Sequence, residues 1–430
     1  MIKRKISQQL LLTSLSLVLA LASANGQSLT LEECYKLAKE NYPAVKKLAL
    51  VEKSAGYTMK NLNKRFLPQF NVNGQATYQS QVVDYGDLLG SGTGAIGIVP
   101  PSFSKDQYKL QGEVEQLLFE GGNTRYEKAI SKANSELEQQ NIQVELYAVN
   151  DRINSIFFSI FVIDAQLELN NFKIANLQAQ LQKTEGAYTY GTAYLSDVNE
   201  LKAEIESTKA ANIDYKGNSS SFLRMLSLFI GREINSSGSL VKPAPPVYAG
   251  EIQRPELKLY DLQKNIYETQ SRQLKSGYLP TVKAFFQGAY GRPTLNPISN
   301  DFGPWYVTGI RLNWSLGSLY TMKNQRGLYE VKSQTSNAER ETFLRNLEMD
   351  IVQQDENVKK YRQLIMQDRT TIELRETVTQ SASAQLANGI ITTYEYIQKL
   401  NLENSAKQNL ILHEIQLLQA QYNLKFKSGN

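Results

Sequence analysis

Few residues of this chain have the types and spacing that catalysis or metal binding requires. Its 430 residues include one His and one Cys. His413 lies in ILHEIQLL without a second His, a Cys or paired carboxylates at ligand spacing, so we predict a helix-surface or interface position rather than a metal site. Cys34 has no candidate His partner and cannot form a disulfide within the chain. The sequence therefore predicts that the protein is not an enzyme and has no catalytic residue, cofactor or metal.

A glycine motif has the spacing of a phosphate-binding loop. Gly92, Gly94 and Gly97 spell G-x-G-x-x-G, as in dinucleotide-binding loops. Pro100 and Pro101 follow shortly, where such a loop would have to open a helix that presents its first N–H groups to a pyrophosphate. We therefore predict a flexible surface loop instead.

Another spacing occurs twice and joins a glycine to a carboxylate. Asp197 comes six residues after Gly191, and Glu395 comes six residues after Gly389. The two segments are AYTYGTAYLSDV and QLANGIITTYEYI, and each follows a long stretch without proline. Each is predicted to be the tip of a helical hairpin, so the pairing of glycine and acid indicates a duplicated plan.

Long helices must position these tips. Between Gly122 and Tyr188 there is no Pro and one Gly, and apolar residues recur in alternating steps of four and three. The members of this heptad seam are Ile142, Leu146, Val149, Ile153, Ile156, Ile160, Ile163 and Leu167. A continuous helix over this stretch would be about 100 Å long, at ~1.5 Å per residue. Residues 321–387 repeat the plan, and the shorter hairpin arms are predicted at 194–231 and 391–426.

Two similar phrases predict strands. FLPQFNVNGQATY, residues 66–78, returns as YLPTVKAFFQGAY, residues 278–290, which is 212 positions later. In the first phrase Asn71, Asn73 and Gln75 alternate with apolar or small residues, which is the period of a strand with one polar face. Each phrase follows a predicted helix and is itself followed by a second predicted strand.

The second strands are QYKLQGEVEQLLF, residues 107–119, and WYVTGIRLNW, residues 305–314, in which Arg311 and Asn313 oppose an aromatic and apolar face. Strands of this length suit a tilted outer-membrane crossing, which needs about 9–11 residues. A soluble sheet half buried on a core would alternate in the same way. In lipid, four strands cannot leave an open edge, so several chains would have to share one barrel.

The N-terminus predicts export. MIKRK precedes an apolar stretch and then Ala22, Ser23 and Ala24 in A-x-A order, which indicates a signal peptide. A retained anchor helix fits less well, because two glutamines shorten the apolar run below the roughly 20 residues that cross a bilayer. Removal of residues 1–24 leaves 44 basic and 42 acidic residues, a net charge of +2, which gives no indication of nucleic-acid binding. The mean hydropathy of −0.39 is too polar for a bundle of membrane helices.

The duplication predicts the domain organisation. We expect a signal peptide at 1–24, a first repeat at 25–234, a linker rich in Ser, Gly and Pro at 235–251, and a second repeat at 252–430. Each repeat would contain a helix, two strands and a long helical hairpin.

The sequence resembles the outer-membrane efflux protein family typified by TolC. The resemblance rests on SLTLEECYKLAKENYPAV at 28–45, FLP at 66–68, LLFEGGNTRYEKAISKA at 117–133 and the two glycine tips, in that order. It implies a mostly α fold with membrane β-structure. Duplicated hairpins would form a periplasmic α-barrel, and four strands per chain would join a trimeric 12-stranded barrel in the outer membrane, in contact with its lipid.

The resemblance also implies a function and several sites. The protein would be the passive exit duct of a tripartite efflux or secretion system, opened at its periplasmic tip by an adaptor and an inner-membrane pump. The adaptor would dock at the tips, at Gly191, Thr192, Gly389 and Ile390. The water-filled pore would be lined by the polar strand positions Asn71, Asn73, Gln75, Arg311 and Asn313.

A periplasmic gate is implied at the hairpin tips. Glu395 and Gln398 occupy positions where family members carry two acidic rings, and Asp197 keeps the acid of the first tip. One ring of carboxylates is expected to favour cations more weakly than two. Leu386 and Ile391 replace the Tyr and Arg that often lock the closed tip, so apolar packing or other polar groups would take their place. The alternative for Glu395 is an ordinary solvated charge on a helix.

Two other functions share the heptads and the export signal. An exported coiled-coil structural protein or adhesin could use the same seam, and a periplasmic adaptor also contains a helical hairpin. An adaptor, however, has one hairpin between lipoyl-like and barrel domains, whereas this chain is predicted to have two hairpins and membrane-like strands. The channel is therefore the preferred interpretation.

Overall fold

The computed structural model describes residues 28–83, 103–247, 250–296 and 298–429. The predicted signal peptide and the glycine motif at 92–97 lie outside these ranges. The described helices and strands are, in chain order, α1 (Leu31–Asn41), α2 (Val45–Asn63), β1 (Gln69–Tyr78), β2 (Asp106–Phe119), α3 (Asn123–Thr189), α4 (Leu195–Ile230), α5 (Leu257–Gln273), β3 (Thr281–Arg292), β4 (Gly303–Asn313), α6 (Ser318–Ala387) and α7 (Thr393–Ser428).

The repeated Leu-Pro pair marks the change from helix to strand. Short 3-10 helices, Lys64–Phe66 and Leu274–Tyr278, lead from α2 and α5 to Leu67 and Leu279. Both leucines are extended, with ψ of 152° and 145°, as a residue before proline prefers. The proline then cannot donate the hydrogen bond that a helix needs, so the chain enters β1 or β3 directly.

Hydrophobic periodicity did not predict the helix α1. Thr30 and Glu33 form a capping box at its start, in which the Glu33 carboxylate accepts from Thr30 N at 2.8 Å and Glu33 N donates to Thr30 Oγ1 at 3.2 Å. Leu31, Cys34 and Ala38 are buried along one side of the helix. The T-x-x-E spacing was the available sequence indication of this helix.

The predicted helical hairpins are confirmed. The long arms α3 and α6 have 67 and 70 residues, and the returning arms α4 and α7 have 36 each. The seam on α3 is buried from Ile142, with 2 % of its surface exposed, to Ile163, with 8 %. α3 also contains an 18-residue window apolar enough to cross a membrane, but 56 % of that window is buried within the chain, so core packing accounts for its composition.

The described residues form two compact units. One consists of those within 1–48, 140–258 and 340–430, and the other of those within 49–139 and 259–339. Each unit draws on both predicted repeats, because the long helices pass from one unit into the other. The repeat boundaries at 234 and 252 remain a sequence prediction about duplication.

The first unit is held together by a core between helices. Its largest buried cluster combines α1, α3, α4 and α7 and includes Leu31, Phe157, Ile160 and Leu226, all with no exposed surface. A parallel bridge between Leu29 and Leu240 attaches the chain before α1 to the segment after α4. This segment falls in the predicted linker.

The second unit contains the sheet. Its strands are antiparallel in the order β1-β2-β3-β4, so the two strands of each predicted pair are neighbours and β2 joins the pairs. Asn71 lies opposite Glu113, which lies opposite Gln287, and Lys283 lies opposite Arg311. One irregularity in the register, between Leu117 and Phe119, occurs near the helical end of β2.

Candidate functional site

The sheet has one polar face. Its register places all five predicted water-facing positions, Asn71, Asn73, Gln75, Arg311 and Asn313, on the same side. The same side also carries charges and amides that the sequence analysis did not assign, namely Lys109, Gln111, Glu113, Glu115, Lys283 and Gln287. The period-2 alternation of KLQGEVE in β2 was the sequence pattern that could have identified the first four.

Charges near the helical end of this face are paired across strands. Lys283 Nζ lies 3.0 Å from Glu115 Oε2, and Arg311 forms ion pairs with both Glu115 and Glu113. Gln287 Nε2 donates to Glu113 Oε1 at 2.9 Å. The two cations are 42 and 48 % exposed, and pairs open to solvent on one side contribute little stability, about 0–1 kcal/mol each. Two acids and two bases therefore leave this band of the face electrically balanced.

The opposite face of the sheet is apolar and uncovered. Its side chains expose large fractions of their surface, including Phe70 76 %, Val72 74 %, Ile310 71 %, Tyr306 69 %, Leu312 61 % and Leu110 60 %. A soluble chain rarely leaves so continuous an apolar surface in water. The face requires a cover of lipid or protein.

Both hairpin tips are the same turn. Gly191 and Gly389 have φ of +73° and +69°, a region that residues with a Cβ rarely adopt. The residue after each glycine donates its backbone N–H five residues back: Thr192 to Ala187 O at 2.8 Å, and Ile390 to Gln385 O at 2.9 Å. With the bonds from Gly191 to Tyr188 and from Gly389 to Leu386, this is a Schellman motif at each tip.

The acid six residues after each glycine caps the next helix. Glu395 accepts from Thr392 N at 2.8 Å and from Thr392 Oγ1 at 3.0 Å, and its own N–H donates to Thr392 Oγ1. Asp197 Oδ2 accepts from Tyr194 N at 3.0 Å. The backbone hydrogen bond from Thr392 holds the pKa of the fully exposed Glu395 carboxyl below its ordinary value. The recurring glycine-to-acid spacing is thus a C-cap followed by an N-cap.

Apolar packing is found at the positions of the expected polar lock. Leu386 and Ile391 pack against a buried cluster that includes Leu177, Leu201 and Leu400. Gln398 instead makes a local bond, its Nε2 donating to Tyr394 Oη at 2.6 Å. Within one chain, the two tips are therefore joined by hydrophobic contacts.

A cleft of about 940 Å³ lies between the tips, within the first unit. Its lining includes Asp197, Glu395, Thr192 and Ile390. With Gly389, which also lines the cleft, five of the predicted tip and gate residues are thus brought together, although nearly 200 positions separate the two tips. Several aromatic and apolar side chains at the tips are widely exposed: Tyr190 86 %, Tyr194 79 %, Ile390 70 % and Tyr394 57 %.

The isolated His and Cys have structural surroundings. His413 Nδ1 lies 2.6 Å from Asp368 Oδ2, in the interface of α7 with α6, in agreement with the predicted interface position. Burial raises the pKa of the Cys34 thiol to about 12, so it is a poor nucleophile. In the described part of the chain, no group of three or more His, Cys, Asp or Glu residues is placed to hold a metal ion.

The family comparison agrees with this arrangement. Residues 34–232 match the family model described as outer membrane efflux protein. The match covers slightly less than half of the chain and confirms the predicted resemblance to that family. No curated protein sequence matches the chain.

Solved structures match the whole fold at low identity. The outer membrane protein VceC from Vibrio cholerae superposes with a TM-score of 0.67 at 13 % identity, over 93 % of this chain and 96 % of that one. CusC gives a TM-score of 0.68 at 13 % identity, over 93 % and 91 % of the two chains. The outer membrane channel CmeC from Campylobacter jejuni gives 0.63 at 11 %, over 93 % and 85 %.

These findings agree with the predicted class of protein. The fold, mostly helical with four antiparallel strands, is the predicted one, and it is shared with outer membrane channels. The family match over residues 34–232 confirms the predicted resemblance to outer-membrane efflux proteins, and the superposed structures are those of outer membrane proteins and channels. An exported coiled coil or an adaptor would account for neither the sheet nor the match.

Proposed function

We propose that three copies of the chain form a passive duct through the outer membrane, through which an efflux or secretion system discharges its cargo. The observation that carries this proposal is the sheet: it has one polar face, one uncovered apolar face, and β1 and β4 as edge strands of the four described. In hydrocarbon, unpaired edge groups are prohibitively costly. Pairing β4 of one copy with β1 of the next removes every edge once the ring closes.

The strand count favours more than two copies. One chain supplies four strands, too few to close on themselves, and two chains would give eight strands, whose interior is filled by side chains. Three chains give twelve strands around a wider lumen. The resemblance to the efflux family supports the same number.

A second surface supports assembly of copies. On α6 several apolar side chains are exposed at heptad-compatible positions, with Met349, Val352 and Met366 exposed by 56, 57 and 70 %. In the first unit these residues have no cover from their own chain. Contact with a neighbouring copy would bury them in a helical barrel.

The partners belong to this proposal as well. The cleft between the tips and the exposed aromatic rings around it offer a docking surface for a periplasmic adaptor, and an inner-membrane pump would deliver cargo through it. Cation preference at the gate would come from Glu395, with Asp197 facing the same cleft. Gln398 contributes no charge.

The trimer and the lumen face are tested together by cysteine scanning. Native mass measurement of the detergent-extracted protein should give three copies. A membrane-impermeant thiol reagent should label introduced cysteines at alternate positions from 69 to 77, because only the polar face meets water. Cys34 is buried with no exposed surface and will not compete for the reagent. Uniform labelling, or a monomer, would reject the duct.

Docking at the tips is tested by bulky substitutions. Thr192→Trp and Ile390→Trp should abolish transport while leaving the trimer intact, because both residues line the cleft. Ser381→Trp is a control on an exposed site of α6 outside that lining. Unchanged efflux in both tip variants would indicate that the tips are turns without a docking role.

A further inference from the structure

The polar face of the sheet differs in polarity from strand to strand. On β1, and on β2 as far as Glu115, its positions are amides, hydroxyls and charges, whereas on β3 and β4 apolar residues interrupt them. These apolar residues are Phe285, Ala289, Trp305 and Val307. Ala289 lies opposite Trp305, and Val307 lies beside them opposite Gln287. A short apolar strip therefore runs along the face that is proposed to meet water.

Lys109 reaches the loop end of this strip. Its Nζ lies 5.0 Å from the centre of the Trp305 ring, although β3 separates the two strands that carry these residues. Gly291, on β3 opposite Lys109, has no side chain to stand between them. A Cβ at Gly291 would overlap Tyr108 O, so this register of β2 and β3 requires glycine here.

Both groups retain unused hydrogen-bond donors. Within the described ranges, Lys109 forms no ion pair with a carboxylate, and the buried Trp305 Nε1–H makes no hydrogen bond. A buried donor without an acceptor costs free energy, and a ligand that supplies an acceptor removes that cost. At the helical end of the same face the cations differ, because Lys283 and Arg311 are already paired with Glu115 and Glu113.

We propose that Lys109 and Trp305 form a binding site for small anionic molecules with a planar apolar part, such as aromatic sulfonates and carboxylates. The ammonium group of Lys109 would pair with the anion, and its flexible stem lets it swing from the ring to do so. The Trp305 ring and the apolar strip would cover the planar part, and Nε1–H would gain an acceptor.

This site rests on the proposed function, since only a closed barrel makes the polar face a water path. Its chemistry suits an exit route. One cation and a strip of four side chains, the Trp305 indole among them, give weak binding. A conducting pathway requires sites that hold a molecule briefly and release it. Three copies would place three such sites around the outer end of the lumen.

The two tryptophans of the chain provide the test. Trp314→Phe leaves Trp305 as the single tryptophan, whose emission is followed by selective excitation of indole in the full-length trimer reconstituted in lipid. Iodide in the buffer should quench Trp305, and lipids brominated on their acyl chains should not. The reverse pattern would place Trp305 against lipid and would overturn the lumen assignment itself, and the site with it.

Ligand titration then tests the site separately. Benzenesulfonate should change the Trp305 emission saturably and reduce single-channel conductance, whereas methanesulfonate, which lacks the ring, and benzylammonium, which lacks the anion, should do neither. Lys109→Gln should weaken the apparent affinity for benzenesulfonate about fivefold or more, and Lys109→Arg should preserve it. Lys283→Gln, a paired cation on the same face, is the matched control and should change the affinity less than twofold.

Three results would reject the site while leaving the duct standing. They are iodide access to Trp305 without any saturable effect of benzenesulfonate, an equal effect of benzylammonium, and an unchanged affinity in the Lys109→Gln variant.

Discussion

The long helices of the two hairpins, α3 and α6, differ in where their apolar side chains go. In the first unit α3 buries Ile153, Phe157 and Ile160 completely within its own chain. By contrast, α6 leaves Val352 and Met366 with 57 and 70 % of their surface exposed. Both helices have similar length and lack proline, so the two hairpins share this element and differ in its surroundings.

This difference indicates a division of roles. The first hairpin and α1, together with α7, supply the core of the first unit, as the burial of Leu31 and Leu226 in the same cluster shows. The long helix α6 keeps additional apolar surface for contacts that its own chain does not provide. In the proposed trimer that surface faces another copy, so folding of the chain and assembly of the trimer can be disturbed separately.

The largest effect is expected from the buried helix. Phe157→Ala removes a ring with no exposed surface and should lower the free energy of unfolding by about 3–5 kcal/mol. Phe172→Ala is the control, because the Phe172 ring on the same helix is 62 % exposed. Denaturant titration of the purified protein, with the amount of protein reaching the outer membrane as a second measure, decides the result. Equal losses in both variants would contradict the assigned core.

The exposed helix should instead affect assembly. Met366→Asp places a charge where another copy would bury an apolar side chain, at a cost of about 2–7 kcal/mol for an unpaired polar group. Native gels should then show a monomer with unchanged helix content by circular dichroism. Gln367→Asp, at the next exposed position, should remain trimeric. Loss of helix content in the first variant would mean that α6 belongs to the core as α3 does.

The two tips should respond alike, because the hairpins share the same turn. Gly191→Ala and Gly389→Ala force a Cβ into a positive-φ conformation and should each cost about 1–2 kcal/mol. Gly186→Ala, inside α3 with no heavy atom near its Cβ, should stabilise by about 0.5–1 kcal/mol. Thermal unfolding provides the measurement. A marked difference between the tips would show that one of them is under an additional constraint.

The smallest effect concerns the gate. Glutamine can replace glutamate in a capping box, so Glu395→Gln removes the charge and keeps the helix cap. Cation selectivity in planar bilayers should decrease, with folding unchanged. Because the hydrogen bonds from Thr392 hold the pKa of this carboxyl below its ordinary value, selectivity in the parent protein should persist to a lower pH than an ordinary glutamate would allow and be lost in more acidic solution.

The variant should lack that acid-dependent decline. Asp197→Asn gives the parallel test at the first tip, where no threonine completes a box. If neither the reversal potential nor its pH dependence changes in an assembled Glu395→Gln trimer, the carboxylate is a helix cap and nothing more.

Much of this fold was predictable, because its elements are repetitive and long. Heptads and the absence of proline located α3 and α6 to within three residues at their ends, and alternation located all four strands. The α1 helix and the cap at Glu395 were missed, although both carry the local T-x-x-E pattern. A capping box depends only on two residues three positions apart, so both features could have been predicted from the sequence.

The sequence by itself determined the hairpins, the turns at Gly191 and Gly389, and the polar and apolar faces of each strand, since each depends on residues a few positions apart. The tertiary structure alone decided which faces meet. Lys283 and Glu115 are 168 positions apart and pair only because β2 and β3 adopt one register. Lys109 meets the ring of Trp305 across a third strand for the same reason. A shift of that register by one residue would turn every side chain to the other face, and no local pattern fixes it.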